Sequence, residues 1–147
     1  MYTKILVPLD GSLRAEAILP HVEELARCNH SQIIFLSVID PAATLSSIEG
    51  LEMGINQTII QEQADEAAYY LAGKEGEFRE KRIESKSMVR YGAVANTIIA
   101  TAEDEKVDLI AIASHGRTGL ARFFYGSVAA GILQQVDSPL LLIRARG

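Results

Sequence analysis

The residues most able to do chemistry fall in one stretch, Ser114-His115-Gly116-Arg117-Thr118-Gly119, which runs on to Gly126-Ser127. Gly116, Gly119 and Gly126 let a backbone open out and come close to a bulky anion. Gly126-Ser127 stands where an apolar helical pattern begins. Free N–H groups and the positive end of a helix dipole would point outward there, as a phosphate requires. His115 and Arg117 add donors or charge. The plainer alternative stays open from these residues alone: the glycines permit a turn and Ser127 caps a helix. A second candidate is Asp10, at the end of the first apolar run. Its carboxylate can accept hydrogen bonds from a ribose, or it can serve as a turn acid. Asp40, before Pro41, reads as a turn residue. His21 and His30 belong to or flank the first helix and read as surface residues, remote in sequence from His115.

Other nucleotide and catalytic patterns are missing from the sequence. There is no Gly-Lys-Ser or Gly-Lys-Thr of a P-loop, and no dinucleotide fingerprint follows the first strand, where Asp10-Gly11-Ser12-Leu13-Arg14 stands instead. A Gly-x-Ser-x-Gly elbow and a zinc-protease motif are also missing. His115 is the single candidate for a general base near the proposed phosphates. The chain therefore reads as a binding protein rather than a dedicated enzyme, with slow hydrolysis at those phosphates as an open alternative.

These loops need elements to hold them. Lys4 to Leu9 reads as a buried strand, and Ser12 as the N-cap of a helix carrying Ala15, Ile18, Leu19, Val22, Leu25 and Ala26 at helical spacing. Pro20 should kink or break that helix. Ile33 to Ile39 is apolar enough for a strand buried on both faces. Residues 41–53 read as loop. Ile55 to Leu71 reads as a second helix whose end Gly73 and Gly76 weaken. Ile83 to Val89 mixes polar and apolar residues, as an edge strand does, and Gly92 breaks the chain. Val94 to Ala102 outlines a third helix, Asp108 to Ala113 a fourth strand, Val128 to Val136 a fourth helix, and Pro139 to Ile143 the last strand. Alternation of this kind means right-handed crossovers and a parallel sheet with helices on both faces. Ligands bind such a sheet beyond the carboxyl ends of its strands, at a topological switch point. Ala113 ends a strand, where negative φ is the norm.

Composition sets the outer bounds. The 147 residues suit one domain spanning 1–147, with 48% hydrophobic and 22% charged residues. Net charge is −5 and pI about 5.2. The densest basic run, Arg79-Glu80-Lys81-Arg82, contains an acid and reads as a solvated face. Nucleic acid is therefore not an expected partner. No run approaches a membrane span and no signal peptide is apparent, so a cytoplasmic protein without membrane insertion is expected. Cys28 is the only cysteine. It suits a reducing compartment. Because it closes an apolar helical stretch, it is expected as a buried thiol.

The whole chain resembles the universal stress protein family. The resemblance rests on Lys4-Ile5-Leu6-Val7-Pro8-Leu9-Asp10-Gly11-Ser12, Val107-Asp108-Leu109-Ile110, the 114–119 loop, Gly126-Ser127-Val128 and Ser138-Pro139-Leu140-Leu141-Leu142-Ile143. Members of that family that bind ATP carry a glycine, two residues, a second glycine, nine residues, then Gly-Ser or Gly-Thr. Here Gly116 is the second glycine, and nine residues, Arg117 to Tyr125, separate it from Gly126-Ser127. Ala113 replaces the first glycine, and Val94 stands where the family often has a proline. The resemblance implies a five-stranded parallel open sheet of order 3-2-1-4-5 with helices on both faces, and binding of ATP or AMP. It implies that Pro8, Leu9, Val38 and Ile112 wall the adenine and that Asp10 meets the nucleoside. Ala113, His115 and Gly116 would line the ribose and first phosphates, while Gly126, Ser127 and Val128 cradle the phosphates. Magnesium or manganese would be held through those phosphates, with no side chain of the protein as a dedicated ligand. The resemblance further implies a homodimer through Leu140 to Ile143 and a regulatory role in stress. A non-nucleotide interaction module of the same family is the alternative, and Ala113 is the residue that favours it.

Overall fold

The computed structural model describes residues 1–42, 53–114, 131–132 and 135–144. Strand β1 (Lys4–Pro8) leads through a 3-10 turn (Ala15–Ile18) into α1 (Leu19–Asn29), then β2 (Gln32–Ile39), α2 (Met53–Glu80), β3 (Ser85–Tyr91), α3 (Val94–Asp104), β4 (Leu109–Ser114) and β5 (Leu140–Arg144). The strands form one sheet in the order β3-β2-β1-β4-β5, and every pairing is parallel. The expected order is thus the observed one, with the mixed-character strand β3 at an edge.

Alternate residues of the strands feed two separate cores. Ile5, Val7, Leu9, Ile33, Phe35, Leu109, Ala111 and Ala113 face α1 and α2. Leu6, Ile34, Leu36, Ile110 and Ile112 face α3 and Ile132. A strand side chain changes face at each residue, so an unbroken apolar run is what burial on both faces demands. Phe35 and Phe78 close the first core edge to face, with ring centroids 5.0 Å apart.

Two local expectations are corrected and one is met. The second helix runs to Glu80, straight through Gly73 and Gly76. A glycine costs a helix about 1 kcal/mol. Beyond the first of them the helix buries Phe78 at 1% exposure, and just before it Leu71 at 0%; each is worth about 2–3 kcal/mol of burial. Ala64, Leu71 and Phe78 recur every seven residues on one side, which the sequence reading stopped short of using. Cys28 is exposed rather than buried. Val22 and Ala26 form the buried stripe of α1, and Cys28 lies two residues, about 200°, round the helix from Ala26. The break expected at Pro20 is present: the 3-10 turn precedes α1, and Pro20 sits in the first turn of α1, where its missing N–H costs nothing. Of the fourth helix, Gly131, Ile132 and Gln135 are helical, and Val136 N–H donates to the Ile132 carbonyl at 2.9 Å. The rest of that helix, Val128 included, lies outside the described residues.

Candidate functional site

The chain leaves β1 toward β2 on one side, and returns after β3 to β4 on the other side of β1. The switch point is therefore the crevice between the carboxyl ends of β1 and β4. Parallel pairing sets Ile5 beside Leu109 and Leu6 beside Ile110. Carried two and three residues on, that register brings Pro8 level with Ile112 and Leu9 level with Ala113. Pro8, Leu9, Ile112 and Ala113 are buried and Val38 is half-buried. Asp10, just past the strand end, is exposed. The residues proposed for the nucleoside end of the site thus come from three adjacent strands and share one end of the sheet. His115, Gly116, Gly126, Ser127 and Val128, proposed for the phosphate end, lie outside the described residues.

The β1 exit is held from both sides. Leu9 N–H donates to the Leu36 carbonyl at 2.8 Å, and the buried Ser37 hydroxyl donates to the Leu9 carbonyl at 2.7 Å. Ser37 was missed by the sequence reading, although it is the only polar residue in Ile33–Ile39. A hydroxyl inside such a run needs a partner, and that need was the available signal. Beyond Leu9 the chain turns. Gly11 takes φ +87°, a conformation glycine adopts without strain. Asp10 Oδ1 accepts from Ser12 N–H at 2.9 Å and from the Ser12 hydroxyl at 2.6 Å. Ser12 Oγ in turn accepts from Ala15 N–H, at the start of the 3-10 turn, at 3.1 Å, although the N-cap position of that turn is Arg14 and not Ser12 as expected. Asp10 is therefore a turn acid, and among the described residues both of its bonds fall on Oδ1.

Ala113 lies inside β4, paired with Ile143. The described non-glycine residues with left-handed backbone are His30, Arg82 and Lys106, so Ala113 carries no such strain. At the end of β2, Asp40 Oδ1 accepts from Ala42 N–H at 3.1 Å, the turn role expected for it. His21 and His30 are exposed. Among the described residues no group of three His, Cys, Asp or Glu could hold a metal, and no helix is long and apolar enough to cross a membrane.

The model of the universal stress protein family matches residues 1–144. The chain belongs to that family. A similar relative is the universal stress protein MJ0577 of Methanocaldococcus jannaschii, 28% identical over 99% of this chain and 97% of its own. The solved structure of MJ0577 superposes with a TM-score of 0.85 and covers 100% of this chain and 99% of its own. Two solved family structures hold an adenine nucleotide. A universal stress protein from Archaeoglobus fulgidus in complex with dAMP is 21% identical, with a TM-score of 0.61, covering 97% of this chain and 98% of its own. Another, in complex with cAMP, is 16% identical, with a TM-score of 0.62, covering 99% of this chain and 98% of its own. At such identities these two structures speak for the fold of this family member.

Proposed function

We propose that this universal stress protein binds an adenine nucleotide, ATP or AMP, in the β1/β4 crevice, and acts in the cytoplasm as a nucleotide-dependent regulatory protein rather than as an enzyme. The observation that carries the reading is that Ala113 and the strand exit leading to Asp10 stand at the same end of two adjacent parallel strands, β4 and β1. The dAMP and cAMP complexes of family members support the ligand class. Pro8, Leu9, Val38 and Ile112 supply the apolar wall, and Asp10 Oδ2 accepts from the sugar. Ala113, His115 and Gly116 line the ribose and first phosphates. Gly126, Ser127 and Val128 take the phosphates, and magnesium or manganese travels with the phosphates.

The same reading includes a homodimer through β5. That strand forms an edge of the sheet, with Leu142 40% exposed and Leu140, Leu141 and Ile143 half-buried. An apolar edge of this kind favours pairing, and nucleotide binding at the neighbouring β4 would be felt there. This edge also favours the second reading, an interaction module that binds no nucleotide.

Mass spectrometry of nucleotide released from the purified protein, followed by calorimetric titration with ATP and AMP, tests the proposal. Gly126→Asp would place a side chain and a negative charge among the phosphates, so it should greatly weaken ATP binding while the circular dichroism spectrum is kept. Unchanged affinity would place the nucleotide elsewhere. No binding by the unmodified protein at millimolar nucleotide would leave the interaction module.

A further inference from the structure

The turn that carries Asp10 is tied to a distant helix through a continuous set of hydrogen bonds. Glu16, in the 3-10 turn, accepts from two donors on α2: the Tyr70 hydroxyl at 2.6 Å on Oε2 and Lys74 Nζ at 3.0 Å on Oε1. Lys74 also pairs with Glu77 at 3.0 Å. The Glu16 backbone N–H donates to the Ser12 carbonyl at 3.3 Å, and Ser12 binds Asp10 Oδ1 through both its N–H and its hydroxyl. Glu16 and Lys74 are largely buried, their side chains 20% and 13% exposed, so this contact is shielded from water far better than a surface pair.

The charge state of the group is fixed by its surroundings. Burial, reinforced by the bond to Glu16, pushes the Tyr70 hydroxyl up, and the charge of Asp10 contributes. Burial pulls Lys74 down, but its bonds to Glu16 and Glu77 more than reverse this. Near neutral pH Tyr70 is thus a donor and Lys74 a cation. Glu16 has its two oxygens taken by two different residues of α2, which sets the 3-10 turn in position as well as in distance.

We infer that Tyr70 and Lys74 are positioning residues for the sugar end of the nucleotide site: through Glu16 and Ser12 they set the orientation of the Asp10 carboxylate and with it the recognition of the ribose hydroxyls. The inference rests on the nucleotide reading above. It assigns sugar selectivity to residues of α2 that touch no nucleotide.

The test compares ATP with 2′,3′-dideoxy-ATP by calorimetric titration of the full chain. The unmodified protein should favour ATP by about tenfold, the scale of a hydrogen bond to a charged acceptor. In the Tyr70→Phe, Lys74→Met double variant that preference should fall to about twofold or less, while affinity for the dideoxynucleotide stays within about twofold of the unmodified protein. Tyr70→Phe with Lys74→Arg should recover a preference of about threefold, the level expected when a cation alone grips Glu16. A loss of affinity equal for both nucleotides would mean a general structural role and overturn the inference. So would a preference that survives the double variant, or equal binding of the two nucleotides by the unmodified protein. If the double variant does not fold, Tyr70→Phe alone decides by the same comparison, with about a threefold loss of preference expected. If the unmodified protein binds neither nucleotide, the nucleotide reading itself fails, and that outcome is separate from all the others.

Discussion

Ser37→Ala removes a single hydroxyl at the point where β1 gives way to the site. Ser37 is 5% exposed and Leu9 2% exposed, so water cannot replace the lost donor. The Leu9 carbonyl would then be buried without the partner that now meets it at 2.7 Å. A neutral bond is worth about 0.5–1.5 kcal/mol net, and an orphaned buried carbonyl about 1–3 kcal/mol. The cavity left by one oxygen adds little beside this. The expected loss is about 1–3 kcal/mol, or a melting point lower by roughly 3–8 °C for a chain of this length. Urea unfolding followed by circular dichroism gives the free energy, with an unchanged slope expected because the same surface is exposed. Ile34→Val is the control. It lies on the other face of β2 and should cost about 0.5–1.5 kcal/mol without touching Leu9. Nucleotide affinity should fall in Ser37→Ala and hold in Ile34→Val. A Ser37→Ala protein within about 0.5 kcal/mol of the unmodified one would refute the reasoning, because it would show that the Leu9 carbonyl never depended on that donor.

Three further outcomes are expected. Burial pushes the Asp108 carboxyl up, but bonds from Thr3 N–H, the Thr3 hydroxyl and Lys4 N–H outweigh it and hold the group below its ordinary value. A depressed folded pKa gives stability that is present above the ordinary value and lost as pH falls through the folded one; Asp108→Asn should therefore cost about 1–2 kcal/mol near neutrality and flatten the acid limb of a stability–pH curve. Gly92→Ala should lower stability by about 1–3 kcal/mol in chemical unfolding, because φ there is +142° and a Cβ would stand 2.7 Å from Thr97 Oγ1. Ala113→Gly should raise ATP affinity in calorimetric titration by no more than about tenfold, since only a methyl group and no backbone strain is relieved; a larger gain would mean that the alanine distorts the strand end.

Much of the fold was legible because each buried element repeats its reason. Ile5 to Leu9, Ile33 to Leu36 and Leu109 to Ala113 are apolar at successive positions, which only a strand covered on both faces needs. The strand order was not legible from the residues. Five strands joined by four helices can be laid out in several orders with the same local patterns, and the order came from the family resemblance. The helix end at Glu80 was misread because glycine propensity was weighed without the burial of Phe78, a contact with Phe35 that is remote in sequence. Cys28 was misread because apolar company in sequence was taken for a shared face.

The site divides along the same line. Asp10 was visible as a polar residue at a strand end, but its dual character was not. One carboxylate oxygen shapes the turn through Ser12, and the proposed contact with a ribose would fall to the other. The support for that turn was invisible for a physical reason. Tyr70 and Lys74 lie 54 and 58 residues beyond Glu16, on a helix whose exposed and buried positions give no local hint of a polar partner. Ser37 could have been found, since a hydroxyl in an apolar strand announces an unseen acceptor. A residue that binds is recognised by its own chemistry, whereas a residue that positions is recognised only by what it touches. In the reading proposed above Asp10 is of the first kind, and Ser37, Tyr70 and Lys74 are of the second.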